Sequence, residues 1–481
     1  MNVVIVHYHL QPGGVTSVIL NTLKACSQEI NFLILTGEKP APDFSYPYTV
    51  LPGLAYEEKR MPISGLELSR QMEEAARAHF HQLPDIWHFH NHSLGKNLLI
   101  TEVLAQFRAK DYFICLHIHD FPEDGRAKNY QRLLSTLANN NHNLLSQKLY
   151  PGQERIYYLV LNKRDATLLV NAGAPANKVH LIPNPISPTK ETPFNVSPSP
   201  FKAPLYLYPT RSIRRKNIGE FIFWAILYPD IVFATTRGPQ NPKFWPIFEQ
   251  WKNFVQEYNL KNVYFELAQK YDFHLLLSWA NSFITTSVKE GFGLAFLEPW
   301  LKNIPLTGRN LPEITADFVQ VGLNLSNLYD TLPIPKTWID LNALKEKIQS
   351  NLYQLCQDYL IPYDMEIFEQ IWAHISGLEY LDFGILDEDL QTQILLSLLK
   401  DKSKKHRLTQ ALQVPNPESV THNKNIVAKY FDLNTYKQKL INIYTHLLQE
   451  KNSKQSTYCI DTCLILKEFL SPQRFNLLSI S

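Results

Sequence analysis

Short apolar runs alternate with longer stretches of helical period along the first part of the chain. "VVIVHYH" (3–9) is followed by "VTSVILNTLKAC" (15–26), then "NFLILTG" (31–37). "DIWHFH" (85–90) precedes "KNLLITEVLAQFRA" (96–109) and "DYFICLHIHDF" (111–121). "RIYYLVL" (155–161) precedes "KRDATLLVNAG" (163–173) and "KVHLIPN" (178–184). Strand and helix repeated in this way predict a parallel sheet covered on both faces. Proline and serine then crowd "PNPISPTKETPFNVSPSPFKAP" (183–204), which has no period and reads as a linker over 186–202. The alternation restarts with "LYLYP", "NIGEFIFWAIL", "DIVFATT", "FWPIFEQWKNFVQEYN", "VYFELA" and "SFITTS", so a second doubly wound α/β domain is expected. Past about residue 330 the pattern turns helical. The expected division is 1–185, linker 186–202, 203–330, a helical insertion at 331–420 and C-terminal helices at 421–481.

Composition narrows the classes. At 481 residues the chain exceeds what one core usually supports, in keeping with two domains. With 45% hydrophobic and 19% charged residues it is an ordinary globular mix rather than a disordered one. A net charge of +2 without a long basic tract gives no footprint for nucleic acid. Apolar runs such as "FIFWAIL" (221–227) are too short to span a membrane, and "MNVVIVHYHL" lacks a basic n-region, so a cytoplasmic protein without a transmembrane segment is expected. "KDKSKKHR" (400–407) reads as a solvated basic helix end and leaves room for peripheral contact with anionic lipid. The five cysteines lack zinc-like or redox-like spacing and read as reduced and structural. The oligomeric state stays open.

In a parallel sheet, ligands collect beyond the carboxyl ends of the strands, where helix N-termini present N–H groups. Gly13 and Gly14 follow the first strand and allow close approach to the backbone, but a dinucleotide Gly-x-Gly-x-x-Gly is missing. His88, His90 and His92 end one strand and His117 and His119 another. Residues two apart share a face, so these rings can converge. They can serve packing, touch a substrate hydroxyl, or hold a metal with Asp120 as a further ligand, the last making a hydrolase. In the second half, Arg211 follows a strand and Lys216 precedes a helix, a fork and a point charge suited to a diphosphate. "VKEGFGLAFLEPW" (288–300) sets Glu290 in a loop with Gly291, Phe292 and Gly293. A helix is expected to begin near Leu294, with Glu298 just over one turn in and Pro299 bending it. The two acids suit sugar hydroxyls; a glycosidase pair is the competing reading.

Together these pieces resemble the GT-B glycosyltransferases, specifically the retaining group called glycosyltransferase family four. Glu290 and Glu298 match that family's Glu-x7-Glu, and Arg211 and Lys216 its Arg-x4-Lys. Gly13-Gly14 matches its N-terminal glycine turn, and His119-Asp120 its His-Asp after a central strand. The resemblance implies two Rossmann-like domains facing a cleft, acceptor-side first and nucleotide-sugar second. It further implies a hexose moved from a nucleoside diphosphate donor to a hydroxyl acceptor with retained configuration. Glu290 would hold the donor sugar, Glu298 the ribose, Arg211 and Lys216 the diphosphate, and His119 the sugar near the scissile bond, with Arg211, Lys216, Glu290 and His119 as the catalytic set. Gly13, Gly14, Asp120, Gly291, Phe292, Gly293, Leu294 and Glu298 would line the donor. No cofactor and no metal are expected, because the one acidic triplet of the Asp-x-Asp kind, Asp387-Glu388-Asp389, falls in the insertion at a helix start. A non-catalytic GT-B binding module stays as an alternative. The segment 331–420 has no counterpart in the plain family pattern.

Overall fold

A computed structural model describes residues 1–187, 197–451 and 458–479. Positions 188–196 of the expected linker lie outside the described residues. Two compact units result. One comprises Met1–Ser187, Cys356–Pro362 and Lys429–Leu470; the other comprises Pro188–Leu355, Tyr363–Ala428 and Ser471–Ser481.

The first unit is built on seven strands: β1 (Asn2–His7), β2 (Asn31–Thr36), β3 (Tyr48–Val50), β4 (Ile86–His90), β5 (Ile114–Ile118), β6 (Ile156–Val160) and β7 (Val179–Leu181). They lie in the order β3-β2-β1-β4-β5-β6-β7, every adjacent pair parallel. Residues of β4, β5 and β6 are buried throughout, which is why their sequences read as continuous apolar runs instead of alternating ones. The order reverses between β1 and β4, and such a switch point opens a crevice at the strand ends.

A late helix completes this core. Asp432 caps Leu433–Leu448 by accepting from the Thr435 N–H at 2.8 Å. Tyr436, Leu440, Ile443, Tyr444 and Leu447 recur at helical spacing and pack with Ile19, Leu23 and Cys26 of the helix Gly14–Cys26. The hydroxyls of Thr22 and Tyr436 meet at 2.9 Å, satisfying two buried polar groups. Two helices between β5 and β6, Ala127–Ala138 and His142–Leu149, had no counterpart in the sequence reading.

The second unit has β8 (Leu205–Arg211), β9 (Val232–Arg237), β10 (Val263–Tyr264), β11 (Ala280–Thr285) and β12 (Leu306–Gly308) in the order β10-β9-β8-β11-β12, again all parallel. The same reversal falls between β8 and β11. The helix Ile218–Leu227 is buried from Ile218 through Ile226, because it lies between the sheet and the insertion helix Glu388–Lys400. The insertion is also not wholly helical: β13 (Pro333–Pro335) and β14 (Tyr380–Asp382) pair antiparallel. Strands this short, β13 with a proline at each end, give too little alternation to read in sequence.

Candidate functional site

The loops after β8 and β11, neighbours at the switch point, are stitched together by their backbones. The Val288 N–H donates to the Arg215 carbonyl at 3.0 Å. Thr286 Oγ1 donates to the carbonyls of Lys216 (2.9 Å) and Asn217 (3.1 Å). This brings Lys216 Nζ onto Glu290 Oε1 in an ion pair that is almost wholly enclosed, with side chains 13% and 10% exposed. Burial pushes the Glu290 carboxyl up, but the Lys216 ammonium and the Arg215 charge outweigh it and hold the group below its usual range. For Lys216 burial is the larger influence and lowers its pKa, against the pull of Glu290. The partners respond unequally because both pay desolvation while Arg215 favours only the anion. We take the pair as ionised, since each charge is the other's main compensation.

Arg211, last residue of β8, is exposed, and its guanidinium has no hydrogen bond or ion pair among the described residues. The structure thus puts an arginine that is free among the described residues five positions before a lysine that is already paired.

Beyond Glu290 the chain departs from expectation. Gly293 has φ 92, and a Cβ there would come within 2.8 Å of Ile314 Cγ2, so glycine is required on both counts. Phe292 is buried against Phe318, ring centroids 5.6 Å apart. Leu294 opens a three-residue 3-10 turn, Leu294–Phe296, not an α-helix; the α-helix is the single turn Glu298–Leu301. Proline, lacking an N–H, is tolerated in a first turn, so Pro299 begins this helix where a bend was expected. Glu298 is therefore its first residue. Its side chain reaches solvent, yet the surrounding protein raises its carboxyl pKa, burial being the larger cause and Lys302 opposing it.

In the first unit, Gly13 precedes the helix Gly14–Cys26, which has no side-chain cap, and a Cβ on Gly14 would meet nothing within 4 Å. The space over this turn is open. The histidines do converge. His90 and His117 face each other in register, and the rings of His88, His90, His117 and His119 stack, His117 to His119 at 4.2 Å and His88 to His90 at 4.5 Å. His119 Nε2 meets His90 Nδ1 at 2.8 Å, and His88 Nδ1 meets the Tyr444 hydroxyl at 2.6 Å. Burial drops His88 and His119 to about 3 and lowers His90 and His117 as well, so all four rings are neutral near pH 7.

His88, His90 and His117 each offer a nitrogen within 4.8 Å of the others. Asp120, the carboxylate a hydrolase would add, is instead engaged by Arg126 at 2.9 Å. Of the ring nitrogens, His88 Nε2 is also shared with His117 Nδ1 at 3.3 Å. Hydrogen bonds and ring stacking account for part of the cluster, while His90 Nε2 and His117 Nε2 have no hydrogen-bond partner among the described residues.

Three residues at these strand ends were not singled out from sequence. Asn217 adopts φ 52 and caps Ile218–Leu227, accepting from the Glu220 N–H at 3.3 Å; "NIGE" carried a capping-box signal. Asn91, with φ 54, accepts from the N–H groups of His119 (2.8 Å) and Asp120 (3.2 Å). Tyr444 is 356 positions from His88 and had no local signal.

Comparison with known proteins agrees with this architecture. No family model matches the chain. Mannosylglucosyl-3-phosphoglycerate synthase of Petrotoga mobilis is 25% identical across 99% of each chain. Among solved structures, Anabaena HepE in complex with UDP-glucose superposes with a TM-score of 0.53 at 13% identity, over 93% of this chain and 100% of that one. A glycosyltransferase from Rickettsia africae does so with 0.53 at 12% identity, over 94% and 99%. With two doubly wound parallel-sheet units and similarity to the Petrotoga synthase over 99% of each chain, the chain is a glycosyltransferase of the GT-B fold.

Proposed function

We propose that the protein transfers a hexose from a nucleoside diphosphate sugar to a hydroxyl acceptor with retention at the anomeric carbon. The observation that carries this reading is that the buried Lys216–Glu290 pair stands at the switch point of the second sheet, in the loop that follows the exposed Arg211, which is unpaired among the described residues. Arg211 forks onto two oxygens of the diphosphate, and Lys216 adds a point charge. Glu290 accepts hydrogen bonds from hydroxyls of the donor sugar and Glu298 from those of the ribose. The loop of Gly291, Phe292, Gly293 and Leu294 fixes where these acids stand. In the first unit we assign Gly13, Gly14, His119 and Asp120 to the sugar, His119 as a neutral hydrogen-bonding group.

The bond from the anomeric carbon to the diphosphate oxygen breaks, and the acceptor oxygen bonds to that carbon on the same face. The departing diphosphate takes the acceptor's proton. Rate enhancement then comes from stabilising charge and from positioning, without a protein nucleophile or metal. The Petrotoga relative is a mannosylglucosyl-3-phosphoglycerate synthase, so a mannosyl transfer to a glucosylated phosphoglycerate is the first reaction to try, with UDP-glucose, the ligand of the Anabaena structure, as a second donor to test. A cytoplasmic location accords with the finding that, among the described residues, no helix is long and apolar enough to cross a membrane.

The test is thermal stabilisation by uridine, guanosine and adenosine diphosphate sugars, followed by NMR of the product's anomeric proton. Stabilisation by one nucleotide class and a retained anomer are expected. Failure of every nucleoside diphosphate to stabilise the fold would overturn the transfer reading in favour of a non-catalytic module or a hydrolase using the histidine cluster.

A further inference from the structure

The segment 331–420 is not needed to complete either parallel sheet, yet two of its side chains reach the loop that carries Lys216 directly and a third does so by relay. Glu388, first residue of the helix Glu388–Lys400, takes the Arg214 guanidinium in a fork, Nε to Oε1 at 2.7 Å and Nη2 to Oε2 at 2.9 Å. Three positions on, Gln391 Nε2 donates to Asn217 Oδ1 at 2.9 Å. Asp382, at the end of β14, takes a second fork from Arg309, at 2.8 and 2.7 Å. Arg309 in turn donates to Glu220 from Nε at 2.9 Å and from Nη2 at 2.6 Å. Glu220 Oε2 then accepts from Asn217 Nδ2 at 2.7 Å.

These contacts converge on two residues, Arg214 and Asn217, which stand two positions before Lys216 and one after it. Neither Gln391, Asn217, Glu220 nor Arg309 is more than 3% exposed, so the network is shielded from competing water. The fit is close: a Cβ on Gly219 would fall 2.1 Å from Gln391 Oε1 and 2.9 Å from the Trp251 ring, so a larger residue there would displace the Gln391 amide. Asn217 holds a left-handed φ of 52 that its side-chain bonds to Glu220 and Gln391 maintain.

Lysine is a flexible stem with a point charge, so where its ammonium goes depends on how firmly its backbone is fixed. We propose that the segment 331–420 is a positioning scaffold for the phosphate-facing lysine. In this arrangement Glu388 and Gln391 are positioning residues that hold the Lys216 peptide from both sides without touching the ligand. This rests on the reading of Arg211 and Lys216 as a diphosphate clamp. It gives the insertion a task in the transfer reaction that bulk stabilisation does not.

The experiment is a double-mutant cycle read by calorimetry with inorganic diphosphate, which carries the charge the leaving group acquires. Glu388→Gln and Gln391→Leu are each made in the wild-type protein and in Lys216→Ala, with thermal melting recorded alongside. Each of the three single variants is expected to weaken binding about tenfold, a loss typical of one interaction in a shared network. In the Lys216→Ala background the two insertion variants should cost less than about twofold more, since what they position is gone. Equal fold-losses in both backgrounds, or insertion variants that bind like wild type, overturn the scaffold. Should Gln391→Leu not fold, Glu388→Gln, which keeps one hydrogen bond to Arg214, decides alone. A wild-type protein indifferent to diphosphate, or a Lys216→Ala variant that binds normally, refutes the clamp itself and with it the scaffold.

Discussion

Lys216 and Glu290 are ion-paired across the two strands at which the five-stranded sheet reverses, although 74 positions separate them. An enclosed lysine of this kind has two claims on it, the carboxylate and the diphosphate. Lys216→Ala should lower the single-turnover rate of transfer by roughly 2–4 kcal/mol of barrier, the scale of a lost oxyanion donor. It should also destabilise the fold, by up to about 3–5 kcal/mol, because the buried Glu290 charge loses its strongest partner while Arg215 and Ser287 remain. Lys216→Ala with Glu290→Gln should recover most of the stability and none of the rate. Normal turnover in Lys216→Ala would end the clamp reading.

Glu290→Gln alone releases Lys216 from its partner. Nucleoside diphosphate affinity, measured by calorimetry, should therefore hold or tighten while the chemical step slows, because the sugar loses a charged acceptor as it moves toward an oxocarbenium-like state. A glycosidase pair predicts otherwise, with both acids essential and water as acceptor.

Glu298 presents a different case. It opens a one-turn helix, reaches solvent and has no cation closer in effect than Lys302. If it holds ribose far from the breaking bond, Glu298→Gln should weaken donor binding and leave single-turnover rate at saturation nearly unchanged. A collapse in saturated rate would assign it to the reacting centre.

The legible part of this protein is what the chain encodes locally. Continuous apolar runs such as "IYYLV" marked buried parallel strands, and glycines, acids and cations directly after them marked the strand ends. What could not be read depends on partners far along the chain. Tyr444 completes the histidine stack from a helix whose apolar spacing tells only that it is buried somewhere. Asp382, Glu388 and Gln391 sit in a segment that reads as plain helix and loop, and no local period reports that they reach Arg309, Arg214 and Asn217. The turn at Glu298 was misjudged for a local reason: proline fits both a bend and a helix start, and only the surrounding packing decides.

The late helix can be tested directly. Leu440 is fully buried against the first unit's sheet and helix Gly14–Cys26. Leu440→Ala should cost about 2–5 kcal/mol in urea unfolding monitored on the whole chain. A loss well under 1 kcal/mol, on the scale of surface changes, would mean that this helix is not part of that core.

Two ring nitrogens in the stack, His90 Nε2 and His117 Nε2, have no hydrogen-bond partner among the described residues, while a zinc site that does chemistry usually takes three protein ligands. Asp120 is committed to Arg126. Transfer should therefore persist in EDTA, and elemental analysis should find less than one equivalent of transition metal. Complete loss with EDTA, restored by metal, would reinstate the histidine cluster as a metal centre.

The pH dependence of stability follows from two buried sets pulling in opposite directions. His88 and His119 fall from 6.5 to about 3 on burial, with His90 and His117 lowered too, so the unfolded chain binds more protons than the folded one over that range. Their contribution is intact above the unfolded value and is lost as pH falls below about 6.5. Glu123 behaves inversely. Burial raises its carboxyl from 4.5 to about 8, with the Tyr150 hydroxyl donating to Oε2 at 2.9 Å, and its contribution fades as pH rises through that window. Four histidines outweigh one acid between these limits, so unfolding free energy should climb from about pH 5, peak near the histidine value and decline toward about pH 8.5. Glu123→Gln should abolish the alkaline decline and leave the acid limb in place. Urea titrations across the range decide the matter: a flat acid limb would mean that the stacked rings are already protonated in the folded protein.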